Sequence, residues 1–296
     1  MISGRHGGTY EDRAPRRTLD RMDIPRRRLD FDFDATTVPL DWCGNDAFLT
    51  THLNALSLLF PEGERFFVES VKQHREAVTD PELRREVAGF IGQEAMHGRE
   101  HRAFNALLVA HGHAVAPAVD RWLKGFLMTV RKRILSPRSQ LAVTTGLEHF
   151  TAMLAEALLA RPAMRGDIHP TIQGLWLWHA LEESEHKAVA FDVYRAAGGG
   201  YARRAAIMLL TTAVFFAVQA GVHARLMAER KILGKPWRWV RGATRLWIYP
   251  GFLTRLVPAY LAYFRPGFHP NDRDTRALLE EWRGRLFDDR GELRAA

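Results

Sequence analysis

The chain has 296 residues, 47% of them apolar and 26% charged, with a formal charge of +8 and one cysteine, Cys43. This composition excludes a disordered chain and a collagen-like repeat. A lone cysteine also excludes a disulfide framework and any cysteine-ligated zinc or iron–sulfur site within the chain.

Residues 1–45, with Pro15, Pro25 and Pro39, read as an irregular N-terminal arm, disordered to about Asp23. The alternation Leu29-Asp30-Phe31-Asp32-Phe33 suits a short strand, or better an extended segment docked by its two phenylalanines. The first 30 residues hold no apolar signal core, and their arginines are mixed with acids, so a cytoplasmic protein is expected.

A helix is predicted from Asp46 to about Ala77, kinked or split where Pro61 falls. Asp80-Pro81 is a start signal, an N-cap followed by proline in the first turn, for a helix running to Gly112. A third helix covers 117–134. Ser136-Pro137 opens a fourth, to about Leu159. A fifth spans 171–197, after Pro170 and before Gly198-Gly199-Gly200. A sixth covers 203–233. An aromatic, basic stretch follows over 236–264, then a charged helix over 272–287. No segment alternates with period two for long. The class is therefore all-α. A four-helix bundle is expected over 46–200, a helical extension of the same domain over 201–270, and a charged C-terminal helix and tail over 271–296.

Four of these helices carry carboxylates or imidazoles on apolar faces. Glu64 lies among Phe60, Phe67 and Val68. Glu94 and His97, three apart, share a face with Phe90 and Ile91. Glu148 lies on the side of Leu141, Thr144 and Ala152. Glu183 and His186 are again three apart, and His179 is one turn earlier. In order the string reads Glu, Glu-x-x-His, Glu, Glu-x-x-His, the ligand rule of di-iron and di-manganese carboxylate bundles. Two adjacent divalent cations need bridging and terminal oxygens and one nitrogen each, and four carboxylates balance their charge. Buried without metal, the same carboxylates would repel one another. Glu62 or Glu69 remain alternatives to Glu64, and Glu182 to Glu183. Iron is the first expectation for the two metals, with manganese or zinc as alternatives.

The pattern resembles the ferritin-like di-iron superfamily. His179 extends it to His-x-x-x-Glu-x-x-His, similar to the p-aminobenzoate N-oxygenase group, and that resemblance implies His179 as a third nitrogen ligand. Over about residues 25–272 the chain resembles a bacterial family named for predicted metal-dependent hydrolysis. The resemblance rests on Phe60-Pro61-Glu62-Gly63-Glu64, Gln93-Glu94-Ala95-Met96-His97, Glu182-Glu183-Ser184-Glu185-His186-Lys187 and Phe264-Arg265-Pro266-Gly267-Phe268-His269-Pro270.

The first functional expectation is an oxygen-activating oxidoreductase acting on a lipophilic or aromatic small molecule. In it Glu94 and Glu183 bridge the metals, Glu64 and Glu148 are terminal carboxylates, and His97, His179 and His186 are terminal nitrogens. The alternatives are a two-metal hydrolase of an ester, amide or phosphoester, and a non-enzymatic metal-binding bundle. His101, one turn after His97, is expected in the pocket or behind a ligand and is grouped with Glu94 and Glu183 as catalytic. His149 reads as structural and His269 as a cap.

Between Arg203 and Arg265 there are eleven Lys or Arg and one acid, Glu229. Ala205–Val222 is uncharged, and Trp237, Trp239, Trp247, Tyr249, Tyr260 and Tyr263 follow it among arginines. Three uses stay open: packing on the bundle or in a homodimer, peripheral contact with an anionic membrane, and a span at the lower length limit. Nucleic acid is not expected, because no binding motif is present.

Overall fold

The computed structural model describes residues 23–248, 251–288 and 290–294, so the expected disorder before Asp23 lies outside the described residues. Among them the protein is all-α, with only two isolated bridges, Cys43–Ile168 and Phe287–Leu293. The helices are α1 Ala47–Lys72, α2 Pro81–Ala110, α3 Ala116–Thr129, α4 Pro137–Ala160, α5 Pro162–Arg165 and α6 Pro170–His186. They continue with α7 Val189–Ala196, α8 Tyr201–Glu229, α9 Pro236–Ala243, α10 Val257–Ala262 and α11 Arg276–Leu286.

The start signals at Asp80 and Ser136 act as caps, Asp80 accepting from the Glu82 amide and Ser136 from that of Ser139. Asp46, where the first helix is predicted to begin, is also an N-cap and accepts from the amides of Phe48 and Leu49. Several boundaries differ, among them that of the charged C-terminal helix, which begins at Arg276 rather than 272. The first helix ends at Lys72, and a short 3₁₀ turn follows over Arg75–Ala77. The expected fifth helix is two, α6 and α7, with the break at Lys187 and Ala188. The sixth ends at Glu229 rather than Leu233.

Pro61 does not split α1. A proline inside a helix leaves the carbonyl four residues earlier without its partner. Here that carbonyl belongs to Ser57, and the Asn105 side-chain amide of α2 donates to it at 3.3 Å. The neighbouring helix thus satisfies the break, and α1 runs on to present Glu64.

Helices α1, α2, α4 and α6 lie side by side: α1 packs on α2, α4 on α6, and α1–α4 and α2–α6 contacts close the ring. α8 covers the outside of α1 and α4. A core cluster at one end includes Trp42, Leu58, Phe104, Leu108, Trp178 and Leu181, and a second holds Phe66, Phe90, Leu141 and Val193. The polar site lies between them.

The arm is extended rather than a strand. The Phe31 amide donates to Glu100, the Phe31 ring packs on Trp178, and Phe33 packs edge-on against Phe104. Upstream, the arm runs against α2 where Gly89 stands: a Cβ there would lie 2.6 Å from the Ile24 carbonyl oxygen.

Candidate metal centre

Each of the four ring helices sends at least one carboxylate inward, and together they form one buried cluster. Ligand atoms of Glu64, His97, His179 and Glu183 all lie within 4.8 Å of one another, as do those of Glu94, Glu183 and His186. Glu183 belongs to both groups. Its Oε1 lies 2.8 Å from His179 Nε2 and 3.5 Å from His97 Nδ1, and its Oε2 lies 3.6 Å from His186 Nε2. Glu148 Oε2 approaches His186 Nε2 to 3.4 Å, and Glu94 Oε1 approaches it to 3.2 Å. All seven of the expected ligand residues therefore converge. Of the alternatives, Glu62 turns to Arg65 and Arg102, and Glu69 to Arg131.

The cluster is incomplete by itself. Nine of its buried atoms have no hydrogen-bond partner: both oxygens of Glu64, Glu94 and Glu148, Oε2 of Glu183, Nδ1 of His97 and Nε2 of His186. Buried polar atoms are normally paired, so nine orphans aimed at one centre describe a place for cations. The donor set, carboxylate oxygen with imidazole nitrogen, suits divalent first-row metals.

The electrostatics agree. Burial, reinforced by the neighbouring carboxylates, pushes Glu64 and Glu94 well above the usual carboxylate range. Burial also pushes Glu148 up to about 7. Glu183 runs the other way. Burial acts to raise it, but His186 and His179 beside it hold it well below the ordinary value. Burial and the nearby His179 keep His97 neutral, with its pKa well below the usual one. Without cations these carboxyls relieve their burial and mutual repulsion by holding protons, and cations would take the place of those protons.

Behind each imidazole stands a group that fixes its orientation. His97 Nε2 donates to Glu182 Oε2 at 3.0 Å, leaving Nδ1 as the inward lone pair. His186 Nδ1 donates to the Gln93 side-chain oxygen at 2.9 Å, leaving Nε2 inward. His179 Nδ1 donates to His101 Nε2 at 2.7 Å, and His101 Nδ1 to Ser57 Oγ at 2.8 Å. Ser57 in turn donates to the Asn105 side-chain oxygen at 2.8 Å. His101 therefore sits one layer out, and it does not reach the centre with Glu94 and Glu183 as its grouping with them expected. His149 donates to the Ala259 carbonyl, and His269 bonds Asp192 and caps the turn at Pro270; both are structural.

The sequence pattern offers Glu182 only as an alternative to Glu183 and does not single out Gln93, Ser57, Asn105 or Arg27; the structure puts Glu182 behind His97 instead. Arg27, from the arm, donates to Glu182 at 2.9 Å and to both oxygens of Glu185. The available signal was the run Glu182-Glu183-Ser184-Glu185, because three acids on consecutive faces of a helix end cannot all meet solvent if one points into the core.

Residues 25–274 match the family described as "Predicted metal-dependent hydrolase". No curated protein and no solved structure matches the chain. The match covers most of the chain, including the six residues of the two ligand groups and Glu148 beside His186, so the chain belongs to the predicted metal-dependent hydrolase family.

Proposed function

We propose that the protein is a two-metal hydrolase of an ester, amide or phosphoester bond. The observation that carries it is the set of nine orphaned donor atoms turned on one buried centre. Family membership supports hydrolysis as the chemistry. Glu64, His97 and His179 would hold one cation, Glu94, Glu148 and His186 the other, with Glu183 shared between them. When bound, a cation pair supplies Lewis acidity and a lowered pKa for water. The chain's own part is to hold the imidazoles in the tautomers set by Glu182, Gln93 and His101. It also keeps the site dry, with Phe60, Phe90 and Trp178 packed against the imidazole rings.

A second reading is oxygen activation in a ferritin-like bundle. Two features favour it: three histidines accompany the four glutamates, and the centre is enclosed, which suits a small co-substrate. One experiment separates the readings. Anaerobically purified protein is loaded with iron, manganese or zinc and assayed on ester, amide and phosphoester panels with and without oxygen. Metal-dependent turnover that ignores oxygen supports hydrolysis. Oxygen uptake in step with substrate loss overturns it in favour of the second reading.

A further inference from the structure

The outer face of α8 breaks the pattern of a soluble helix. Its inner stripe is anchored: Gln219 donates to the His52 carbonyl, His223 to Thr51, and Arg204 to the Tyr263 and Arg265 carbonyls. The opposite stripe would then be polar in water. Instead, residues 206–220 hold no charge, and Leu209 is 59% exposed, Leu210 51%, Val214 39% and Phe216 36%. At 1.5 Å per residue this uncharged run extends about 21 Å. The most apolar window of α8 has a mean hydropathy of 2.0, yet only 22% of it is buried.

The surroundings continue the surface. The Trp247 ring lies 6.0 Å from Phe216, and Tyr260 Oη lies 2.9 Å from Thr212 Oγ1, bringing α10 alongside α8. Among the described residues seventeen large apolar side chains are exposed, and twelve of them fall between Tyr201 and Leu261. Such a concentration marks an interaction surface, since scattered single exposures need no explanation. Around it stand exposed cations, among them Arg203, Arg225, Lys231, Lys235 and Arg255.

We propose that the α8–α10 face binds the surface of an anionic lipid bilayer, with α8 lying in the interfacial plane. Charge selects this occupant. Over residues 203–265 stand eleven cations and one acid. Arg204 is buried, and Arg230, Arg241, Arg245 and Arg265 pair with Asp41, Asp46, Asp167 and Asp272 from outside the stretch. The exposed Arg203, Arg225, Lys231, Lys235 and Arg255 therefore carry the charge around the face, which a second copy would repel and an anionic leaflet complements. Exposed tryptophans and arginines beside an apolar helix are the composition of an interfacial anchor. Depth follows from the inner stripe. A spanning α8 would have to break the Gln219, His223 and Arg204 bonds, so the helix docks without crossing.

The test is co-sedimentation of the full chain with phosphatidylcholine vesicles, with and without phosphatidylserine, at low and high salt. Binding is expected to the anionic vesicles, to weaken with salt and to be released by carbonate. The double variant L210E/V214E, both positions exposed, is expected to lose about tenfold or more in partitioning. Its metal content and thermal unfolding should match those of the parent, which shows that the fold is intact. Three results overturn the proposal: no binding to anionic vesicles at low salt, binding that survives carbonate, and a parent dimer that the double variant converts to monomer.

Discussion

His101 Nε2 lies 2.7 Å from His179 Nδ1, and the chain of bonds behind it ends at the proline of α1. His179 donates to His101, His101 to Ser57 and Ser57 to Asn105, while the Asn105 amide donates to the carbonyl that Pro61 leaves open. One side chain, Asn105, therefore both tolerates the proline and sets the orientation of an inward imidazole. Burial and the neighbouring His179 hold His101 neutral, with its pKa well below the usual one, as an acceptor at Nε2 requires.

His101→Ala removes the acceptor for His179 Nδ1. Metal affinity or turnover should fall by about 10- to 100-fold, the usual effect of losing a group behind a metal-binding histidine. His101→Gln retains an acceptor and should recover part of the loss. Isothermal titration of apo protein with manganese or zinc checks this. Equal affinity in parent and His101→Ala would show that the bond does not orient His179.

The cluster should bind about two first-row metal ions per chain, as measured by elemental analysis. Glu94→Ala combined with His97→Ala should remove at least one. Glu183→Ala should cost more than Glu148→Ala, because Glu183 belongs to both ligand groups. Full occupancy in the double variant would sink the ligand assignment.

Arg27 ties the arm to Glu182 and Glu185, both fully buried. Burial pushes Glu182 up to about 7, while the Arg27 charge and hydrogen bond act against it. Arg27→Ala leaves Glu182 with His97 and Glu185 with Arg283 and Gln93, and losing the shared guanidinium should cost about 1–3 kcal/mol of stability. It should also loosen His97 through Glu182. Arg27→Lys should recover only part, since one ammonium cannot reproduce a guanidinium bridging two carboxylates. Denaturant unfolding reads the stability, and metal titration reads the effect on His97.

Acid should loosen the seam between α1, α8 and α9. His223 donates to Thr51 and packs against Phe48, Trp239 and His52. Burial holds His223 down at about 4, and burial with the nearby His223 holds His52 down at about 3. Both pKa values are depressed from 6.5. The neutral forms therefore support the fold above pH 6.5, and that support is lost as pH falls towards 4 and below. Thermal unfolding of the parent should drop over this window. His223→Gln retains a donor without the titration and should show a shallower drop. Identical pH profiles would exclude the pair as the cause.

Much of this protein is legible along the chain because it depends on short-range geometry. Asp80 and Ser136 announce helix starts since a cap bonds amides two or three residues away. Glu94 with His97 and Glu183 with His186 announce a shared centre since three residues bring side chains to one helix face. What reaches across helices is not encoded in that way. Glu182 finds His97 over 85 residues, Gln93 finds His186 over 93, and His101 finds His179 over 78. Each pairing depends on the axial register of two packed helices, which no local spacing specifies. The same holds for Pro61, a breaker by local rules and a tolerated residue only because α2 places Asn105 beside Ser57. It holds also for α8, whose apolar residues are evident in sequence. Only the packing of Arg204, Gln219 and His223 decides which of them face the bundle and which are left outside.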